Sequence, residues 1–411
     1  LGRLTQLQAA DGAVQSWQLN TAGNPTSHVD PLGRTTTMAY NASQDLTQIL
    51  NPDGTSKNYQ YEMTFHQVTQ IQDELNRLTK FTYDTVTGDL LTQTDALNNV
   101  TTYTWSNGLK QTTTDALNHV TTLQWNSATR QQTAVIDALN NKTNYGYDAA
   151  GNQTSVQDAL GHTTTSTYDG NRRLLTHTNA LNGVMSNTYD AAGNLASSTD
   201  ELGRVTNYAY DQRGLQTSVT EAVGTLQQRA TTTAYDAAGN VSSVTDALGD
   251  ITRYGYDAVN RQVSRIDASG TLLQRTTSTV YDLAGNVVST VDALGVTTKL
   301  VYDVMDRQIQ RIDASGTSLQ RTTSTSYDAV GNVLTVTNAR GTVTSYTYDA
   351  LNRQTQRVDA SGTSSQRTTT TAYDAVGNVS SVTNAVNVTT NYVYDAVNRP
   401  TQVIEAYTSP L

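Results

Sequence analysis

The stretch Tyr281-Asp282-Leu283-Ala284-Gly285-Asn286, then Val287 to Val291, then Asp292-Ala293-Leu294-Gly295, then Val296 to Val301, ends at a second aromatic, Tyr302. It holds two turn signals around two runs of about five or six residues, a usual strand length. Gly285 supplies the positive φ that a side-chained residue resists, and Asn286 tolerates neighbouring conformations. In the second turn, Asp292 is placed to accept backbone N–H groups two residues on, and Gly295 closes the turn. Counting back from Tyr302 in steps of two gives Leu300 and Thr298 on one face, with Val301, Lys299 and Thr297 on the other. The segment therefore reads as a two-stranded hairpin. A helical alternative fails, because Gly recurs too often and no i, i+3, i+4 stripe survives.

The hairpin recurs along the whole chain. Aligned on the aromatic, the copies begin at Trp17, Tyr40, Tyr61, Tyr83, Trp105, Trp125, Tyr147, Tyr168, Tyr189, Tyr210, Tyr235, Tyr256, Tyr281, Tyr302, Tyr327, Tyr348, Tyr373 and Tyr394. A short fixed period marks a stacked architecture, in which each unit buries its apolar face only against its neighbours. The expected fold is all-β: one array over 1–411 of tandem antiparallel hairpins, about two strands per repeat, forming a long spiralling sheet, either a hollow shell or an open spiral. Residues 1–146 read as degenerate repeats in which Trp replaces Tyr at several positions, and 147–411 as regular ones. From about 210 the spacings alternate between 25 and 21, so the true period there is a 46-residue pair. The four extra residues of each long member, as in Asp267 through Tyr281, fall between the second turn and the next aromatic, on one side of the sheet. Neutral loop drift copied by duplication accounts for them; a binding or wall-to-wall contact is the alternative.

Composition narrows the function. Net charge is −10, and no Lys/Arg-rich run occurs, so the basic footprint that nucleic-acid binding needs is missing. No stretch approaches the roughly 20 apolar residues of a membrane-spanning helix. Cys is absent, which excludes disulfides and thiolate metal sites and leaves the redox compartment open. There are 23 Tyr against 2 Phe, an apolar inventory suited to a thin wall. Pairs such as Tyr346/Tyr348 and Tyr392/Tyr394 make one face a tyrosine ladder, expected to pack within the wall, with stacking on sugar rings as the alternative.

The phrase Tyr189 to Leu195, Tyr-Asp-Ala-Ala-Gly-Asn-Leu, followed by Thr199-Asp200-Glu201-Leu202-Gly203-Arg204, resembles the YD repeat of the RHS family. The repeat signature stands at Tyr147, Asp148, Gly151 and Asn152; Tyr189, Asp190, Gly193 and Asn194; Tyr235, Asp236, Gly239 and Asn240; Tyr281, Asp282, Gly285 and Asn286; Tyr327, Asp328, Gly331 and Asn332; and Tyr373, Asp374, Gly377 and Asn378. Thirteen copies keep the Tyr-Asp dipeptide, too many for chance. The resemblance implies a ribbon of antiparallel strands spiralling into a hollow β-shell. In bacterial members, it implies a shell that sequesters a C-terminal toxin domain released by an autoproteolytic aspartyl segment. No delivery domain, cleavage segment or toxin domain of the family is recognisable in these 411 residues. Leu1 lies within a repeat-like phrase, and neither it nor Tyr407 to Leu411 resembles a polar cap, so the chain is expected to be a piece of a longer protein.

The remaining polar residues have ordinary explanations. Asp30-Pro31-Leu32-Gly33 reads as a turn variant, since Pro suits the second turn position. The Asp after each aromatic reads as a turn cap. Equivalent residues lie two strand spacings apart, about 9.6 Å, against a calcium–oxygen distance of about 2.4 Å. His119 and His162 occupy the same place two repeats apart, about 19 Å, too far to share a metal. His28, His66 and His177 read as surface histidines. No Gly-x-Ser-x-Gly elbow, phosphate loop or His-Glu-x-x-His occurs, so no catalytic, cofactor or metal residues are assigned and no enzyme activity is expected. The function expected from the resemblance is a structural shell, secreted or at the cell surface, that encloses a toxin or effector domain of the same polypeptide for delivery to other cells with the help of delivery proteins. The alternative is a secreted or surface fibre or adhesin, binding glycans or self-associating through sheet edges.

Overall fold

In the computed structural model, which describes residues 3–405, the chain folds without a helix into 37 strands of one antiparallel sheet. Strands pair with their neighbours in sequence, as Arg321–Tyr327 with Val333–Thr337, Val333–Thr337 with Val343–Tyr348, and Val343–Tyr348 with Gln354–Asp359. No pairing joins the first strand, Gln6–Gln8, to the last, Pro400–Glu405, so the sheet is not closed into a barrel. The fold is thus all-β with two strands per repeat. Both ends whose lack of a cap was noted, at Leu1 and at Tyr407 to Leu411, lie outside the described residues.

Each repeat is built from two Asp- or Asn-capped turns. In the first turn of the 327–348 unit, the Gly331 N–H donates to the Asp328 carbonyl at 3.2 Å and the Asp328 N–H to the Asn332 carbonyl at 2.9 Å. Asp328 Oδ1 accepts the Asn332 N–H at 2.8 Å, and Oδ2 accepts Asn332 Nδ2 at 2.9 Å. Gly331 sits at φ 93°, where a Cβ would be strained. The register then slips by one residue between Ser326 and Tyr327, a bulge of the kind a positive-φ residue creates. The second turn, Asn338 to Thr342, repeats the device.

The two faces differ. In the strands Val205–Tyr210, Thr297–Tyr302 and Thr389–Tyr394, the aromatic face is half-buried while the residues one and three before the aromatic are exposed. The exposed face is tied by cross-strand hydroxyl pairs, Thr167 with Thr176 at 2.6 Å and Ser326 with Thr335 at 2.6 Å. Among the described residues only Ala13, Ala134 and Val358 are buried apolar residues. The accessible surface is 24458 Å², against about 15,600 Å² for a compact monomer of this mass. The protein has a wall one sheet thick in place of a core.

One alignment is corrected by the register. The slip that marks the aromatic position falls between Gln18 and Leu19 in the first full hairpin, and the turn Asn20 to Asn24 follows it. Leu19, not Trp17, therefore occupies the position of Tyr40. Trp17 lies two residues earlier, on the same face, stacked on His28 with ring centroids 5.1 Å apart. Trp105 does occupy the aromatic position, with its slip between Thr104 and Trp105.

By compactness the chain divides into two units. The first comprises Leu1–Thr122, Val280–Thr290 and Val296–Leu411; the second comprises Leu123–Thr279 and Val291–Gly295. The second unit is a run of consecutive hairpins. The first unit contains two courses of hairpins, early and late in the chain.

Candidate functional site

The aromatic of each repeat does more than pack. Tyr348 Oη donates to the Val333 carbonyl at 2.9 Å, and Val333 is the residue paired with Tyr327, the aromatic of the preceding repeat. The same bond runs from Tyr40 to Pro25, Tyr147 to Gln132, Tyr189 to Leu174, Tyr302 to Val287 and Tyr394 to Val379, always 15 residues back. In the long members it runs 19 back, from Tyr235 to Gln216, Tyr327 to Gln308 and Tyr373 to Gln354. The four inserted residues thus leave the ladder undisturbed. Trp105 uses its indole Nε1 on the Leu90 carbonyl at 2.8 Å. The abundance of Tyr over Phe follows: the position needs an apolar ring with a donor at its tip. Burial pushes the Tyr40, Tyr302 and Tyr348 hydroxyls above their usual pKa.

The signature carboxylates Asp148, Asp190, Asp236, Asp282, Asp328 and Asp374 each accept the backbone N–H of Asn152, Asn194, Asn240, Asn286, Asn332 and Asn378 respectively, at 2.8–2.9 Å. Gly151, Gly193, Gly239, Gly285, Gly331 and Gly377 all have φ between 89° and 101°. Hydrogen bonds from Asn194 and Asn240 hold Asp190 and Asp236 below the usual carboxylate range. His119 and His162 bond Asp115 and Asp158 of their own turns at 3.0 and 2.9 Å. Asp30 caps its turn through the Leu32 N–H at 2.9 Å. His66 is exposed and bonds Asp45. His28 and His177 are corrected: they are half-buried within strands, bonded to Gln15 and Ser166, because both lie on the aromatic face. No group of three His, Asp or Glu that could hold a metal occurs among the described residues.

The alternation of Gly-Asn with Asn-Arg has a structural cause that sequence reasoning missed. Asn332 Nδ2 donates to Asn352 Oδ1 at 2.6 Å, Asn378 to Asn398 at 2.8 Å and Asn240 to Asn260 at 2.8 Å. Arg353 and Arg307 then reach onward to the Asp374 and Asp328 carbonyls, over the Tyr373 and Tyr327 rings. The 46-residue period is therefore a zipper along the first-turn margin. The longer loops lie at the other margin and are internally bonded: in 268–274, Thr271 Oγ1 donates to the Ala268 carbonyl and the Gly270 N–H to Gln274 Oε1.

Within the first unit, the second turns of the early course meet the first turns of the late course along a seam. Arg34 bonds Asp30 of its own turn through Nε and then forks onto Asp306, Nη1 to Oδ1 at 2.6 Å and Nη2 to Oδ2 at 2.8 Å. Arg77 repeats this one station on, bonding Asp73, Asn352 Oδ1 at 2.9 Å and the Asp349 carbonyl at 3.3 Å. Asp306 is pulled below the usual carboxylate range, chiefly by Arg34 and then by Asn286. Beside these pairs lie clefts with apolar side chains in their walls, one lined by Leu32, Val288 and Val304 and another by Ala96, Val330 and Leu351. The two residues after the first-turn Asp do not mark the seam: Leu-Ala at 283–284 and Val-Met at 304–305 differ from Ala-Ala at 149–150, 191–192 and 237–238, but Ala-Val stands both at 258–259 in the second unit and at 329–330 in the late course.

The sequence profile described as RHS Repeat matches residues 20–56, 131–163, 147–184, 189–226, 235–272, 281–318, 327–364 and 373–409. No curated protein matches the sequence. Among solved structures, a chain of TcdB2-TccC3-TEV is 16% identical with a TM-score of 0.74, covering 98% of this chain and 25% of that one. TcdB2-TccC3 without its hypervariable C-terminal region gives 16% identity and a TM-score of 0.63, with 98% and 25% covered. A Tc holotoxin pore of Photorhabdus luminescens carrying a TccC3 mutation gives 15% and 0.61, with 95% and 26% covered. This chain spans about a quarter of the length of those chains.

Proposed function

The chain belongs to the RHS-repeat family, and from that premise we propose that it is a wall segment of a β-shell enclosing a toxin or effector cargo for delivery to other cells. The cargo belongs to the same polypeptide in this reading, delivery proteins assist, and the shell acts outside the producing cell, secreted or at a cell surface. The role is steric: a continuous hydrogen-bonded wall keeps a cargo from proteases and from the producing cell, and no reaction is assigned to it. The observation that carries this reading is the seam at Arg34–Asp306 and Arg77–Asn352. A ribbon that is to enclose space must lay one course against another, and here turns, not strand edges, do so. The likeness to the Tc toxin chains supports it at the level of fold. The net charge of −10 would weakly hold a basic cargo; removing several Asp charges without changing cargo retention refutes that element. The main test is electron cryomicroscopy of the purified protein. Hollow or C-shaped particles support a container, whereas continuous fibres with an axial repeat overturn it.

One observation favours a second reading, an adhesive surface. A cleft of about 490 Å³ in the first unit is lined by Tyr83, Tyr103, Trp105 and Lys110, and Gln67 Oε1 at its side is buried without a partner. Aromatic faces beside polar groups suit sugar rings. Glycan binding lost in Trp105→Ala supports that reading, and no binding to any glycan removes it.

A further inference from the structure

One repeat of the early course departs from the wall's pattern on its aromatic face. Three times elsewhere, the ring of a repeat is covered by an arginine from the preceding first turn. Arg173, Arg307 and Arg353 each stand just before the residue whose carbonyl the next aromatic bonds, Leu174, Gln308 and Gln354. Their guanidiniums lie over those aromatics, Tyr189, Tyr327 and Tyr373, at 4.5, 5.3 and 4.5 Å from the ring centroids. Trp105 bonds the Leu90 carbonyl in the same way, and the residue before Leu90 is Asp89. A carboxylate therefore stands where the wall otherwise supplies a cation to a ring. Asp45 holds the equivalent place before Leu46, whose carbonyl Tyr61 bonds, but His66 and Asn41 bond that carboxylate at 2.9 and 2.8 Å. Among the described residues, the Asp89 carboxylate accepts only the Thr87 hydroxyl of its own turn, at 2.8 Å.

Two further departures open the same place. The residue paired with the aromatic position is elsewhere neutral, as Val333 at Tyr327, Leu174 at Tyr168 and Gln308 at Tyr302, but Trp105 is paired with Lys110. The turn after Trp105 is the short Asn107-Gly108, without the capping Asp. Tyr83, Tyr103 and Trp105 line the resulting cleft of about 490 Å³ together with Asp89 and Lys110, a size usual for small ligands. One of its rings already receives a cation, since Lys110 Nζ lies 5.6 Å from the Tyr103 centroid. The flanking turns 62–67 and 84–89 contain Glu62, Asp84 and Asp89 and neither Lys nor Arg, and their one basic group, His66, is bonded to Asp45. That balance favours a cation over a neutral or acidic ligand. We propose that this cleft binds a quaternary ammonium group, the trimethylammonium head of a choline-type ligand. Such a cation has no N–H to satisfy, is weakly hydrated, and is held by the faces of Trp and Tyr rings. Asp89 supplies the counter-charge, and Trp105 the ring face that a guanidinium covers in other repeats. The ligand is not a sugar, and its binding does not require the wall to enclose a cargo.

The test titrates the full chain with choline chloride at constant ionic strength and reads saturation transfer from the protein to the choline methyl protons. Binding is expected with a dissociation constant on the order of 1–10 mM, that of a small cation held by ring faces and one carboxylate in an open cleft. Asp89→Asn keeps an acceptor for the Thr87 hydroxyl and is expected to weaken binding about fivefold. Asp89→Arg gives Trp105 the guanidinium that Arg353 gives Tyr373 and is expected to abolish it. Amide exchange in 90–94 and 100–106 that matches wild type shows that a variant keeps the wall. No transfer to choline, equal binding of its uncharged carbon isostere, or binding unchanged in Asp89→Asn overturns the proposal. So does a sugar that binds at Trp105 where choline does not, which would leave the adhesive reading standing. Phosphatidylcholine vesicles separate the sources of the group. Wild type that co-sediments with them while Asp89→Arg does not identifies a lipid headgroup, and choline binding without co-sedimentation identifies a soluble or peptide-borne ammonium; either result upholds the site.

Discussion

Replacing Tyr348 by Phe isolates the ladder bond. The ring and its packing on the aromatic face are kept, and only the hydroxyl that donates to the Val333 carbonyl at 2.9 Å is lost. A bond of this kind is worth about 1 kcal/mol net, and leaving a half-buried carbonyl unmet keeps the loss near that figure. A 411-residue repeat array is not expected to unfold in one step, so a global stability is the wrong quantity. Local opening read by amide hydrogen exchange is the right one, and about 1 kcal/mol corresponds there to roughly fivefold faster exchange. The acceleration is expected in 333–337 and 343–348 and to fade within one hairpin on either side. Tyr348→Trp is expected to recover much of it, because Trp105 makes the equivalent bond with Nε1. A second substitution at Tyr394 lies about 19 Å along a regular sheet, beyond coupling range, and should add. If Tyr348→Phe changes exchange in these strands by less than twofold, or Trp is as damaging as Phe, the hydroxyl is not what holds consecutive repeats together.

Alkali provides a second check. Burial raises the Tyr302 and Tyr348 pKa values, so the ladder's stability is complete below the usual tyrosine value near 10 and is lost as pH rises through the raised values. Melting temperature should fall above about pH 10, together with the appearance of tyrosinate absorbance. Acid acts in the opposite sense: Asp190, Asp236 and Asp306 are depressed, so their contribution is complete above about pH 4 and is lost as pH falls through the lower values. A melting temperature that already declines between pH 6 and 5 would contradict the carboxylate assignment, and one unchanged above about pH 10 the tyrosine assignment. At the seam, Arg34→Ala should cost roughly 1 kcal/mol, discounted for the half-exposed Asp306, and should speed exchange in 303–307, whereas Arg204→Ala should leave its surroundings unchanged. Equal effects would deny the seam. Gly285→Ala, at φ 95°, should cost about 1–2 kcal/mol, while Asn182→Gly, at φ 65°, should be within a few tenths; hydrogen exchange at the two turns separates them.

The hairpins were legible because turn and strand signals are local. Asp282 to Asn286 and Val287 to Val291 need only each other to be read, and the all-β fold with two strands per repeat follows. The misplacement of Trp17 shows where local reading fails: aromatics occur both at the slip position and two residues before it, and only the turn at Asn20 tells the two apart. The hydroxyl bond was half visible in the preference for Tyr over Phe, yet its acceptor lies on the preceding strand, 15 or 19 residues back. The seam was invisible for a stronger reason. Arg34 and Asp306 are 272 residues apart, and nothing within one period announces which later turn will lie against which earlier one.

A wall with only three buried apolar residues among those described also has an unusual thermal character. The heat capacity released on unfolding comes mainly from apolar surface newly wetted, with exposed polar groups working against it. A half-buried sheet has less apolar surface left to expose than a packed domain of equal mass, so its stability curve should be shallower and broader. Such a wall would soften less on cooling than a packed domain of equal mass, because less of its cohesion comes from the one force that weakens in the cold. In the proposed role as a vessel, insensitivity to climate would be a property of the thinness itself.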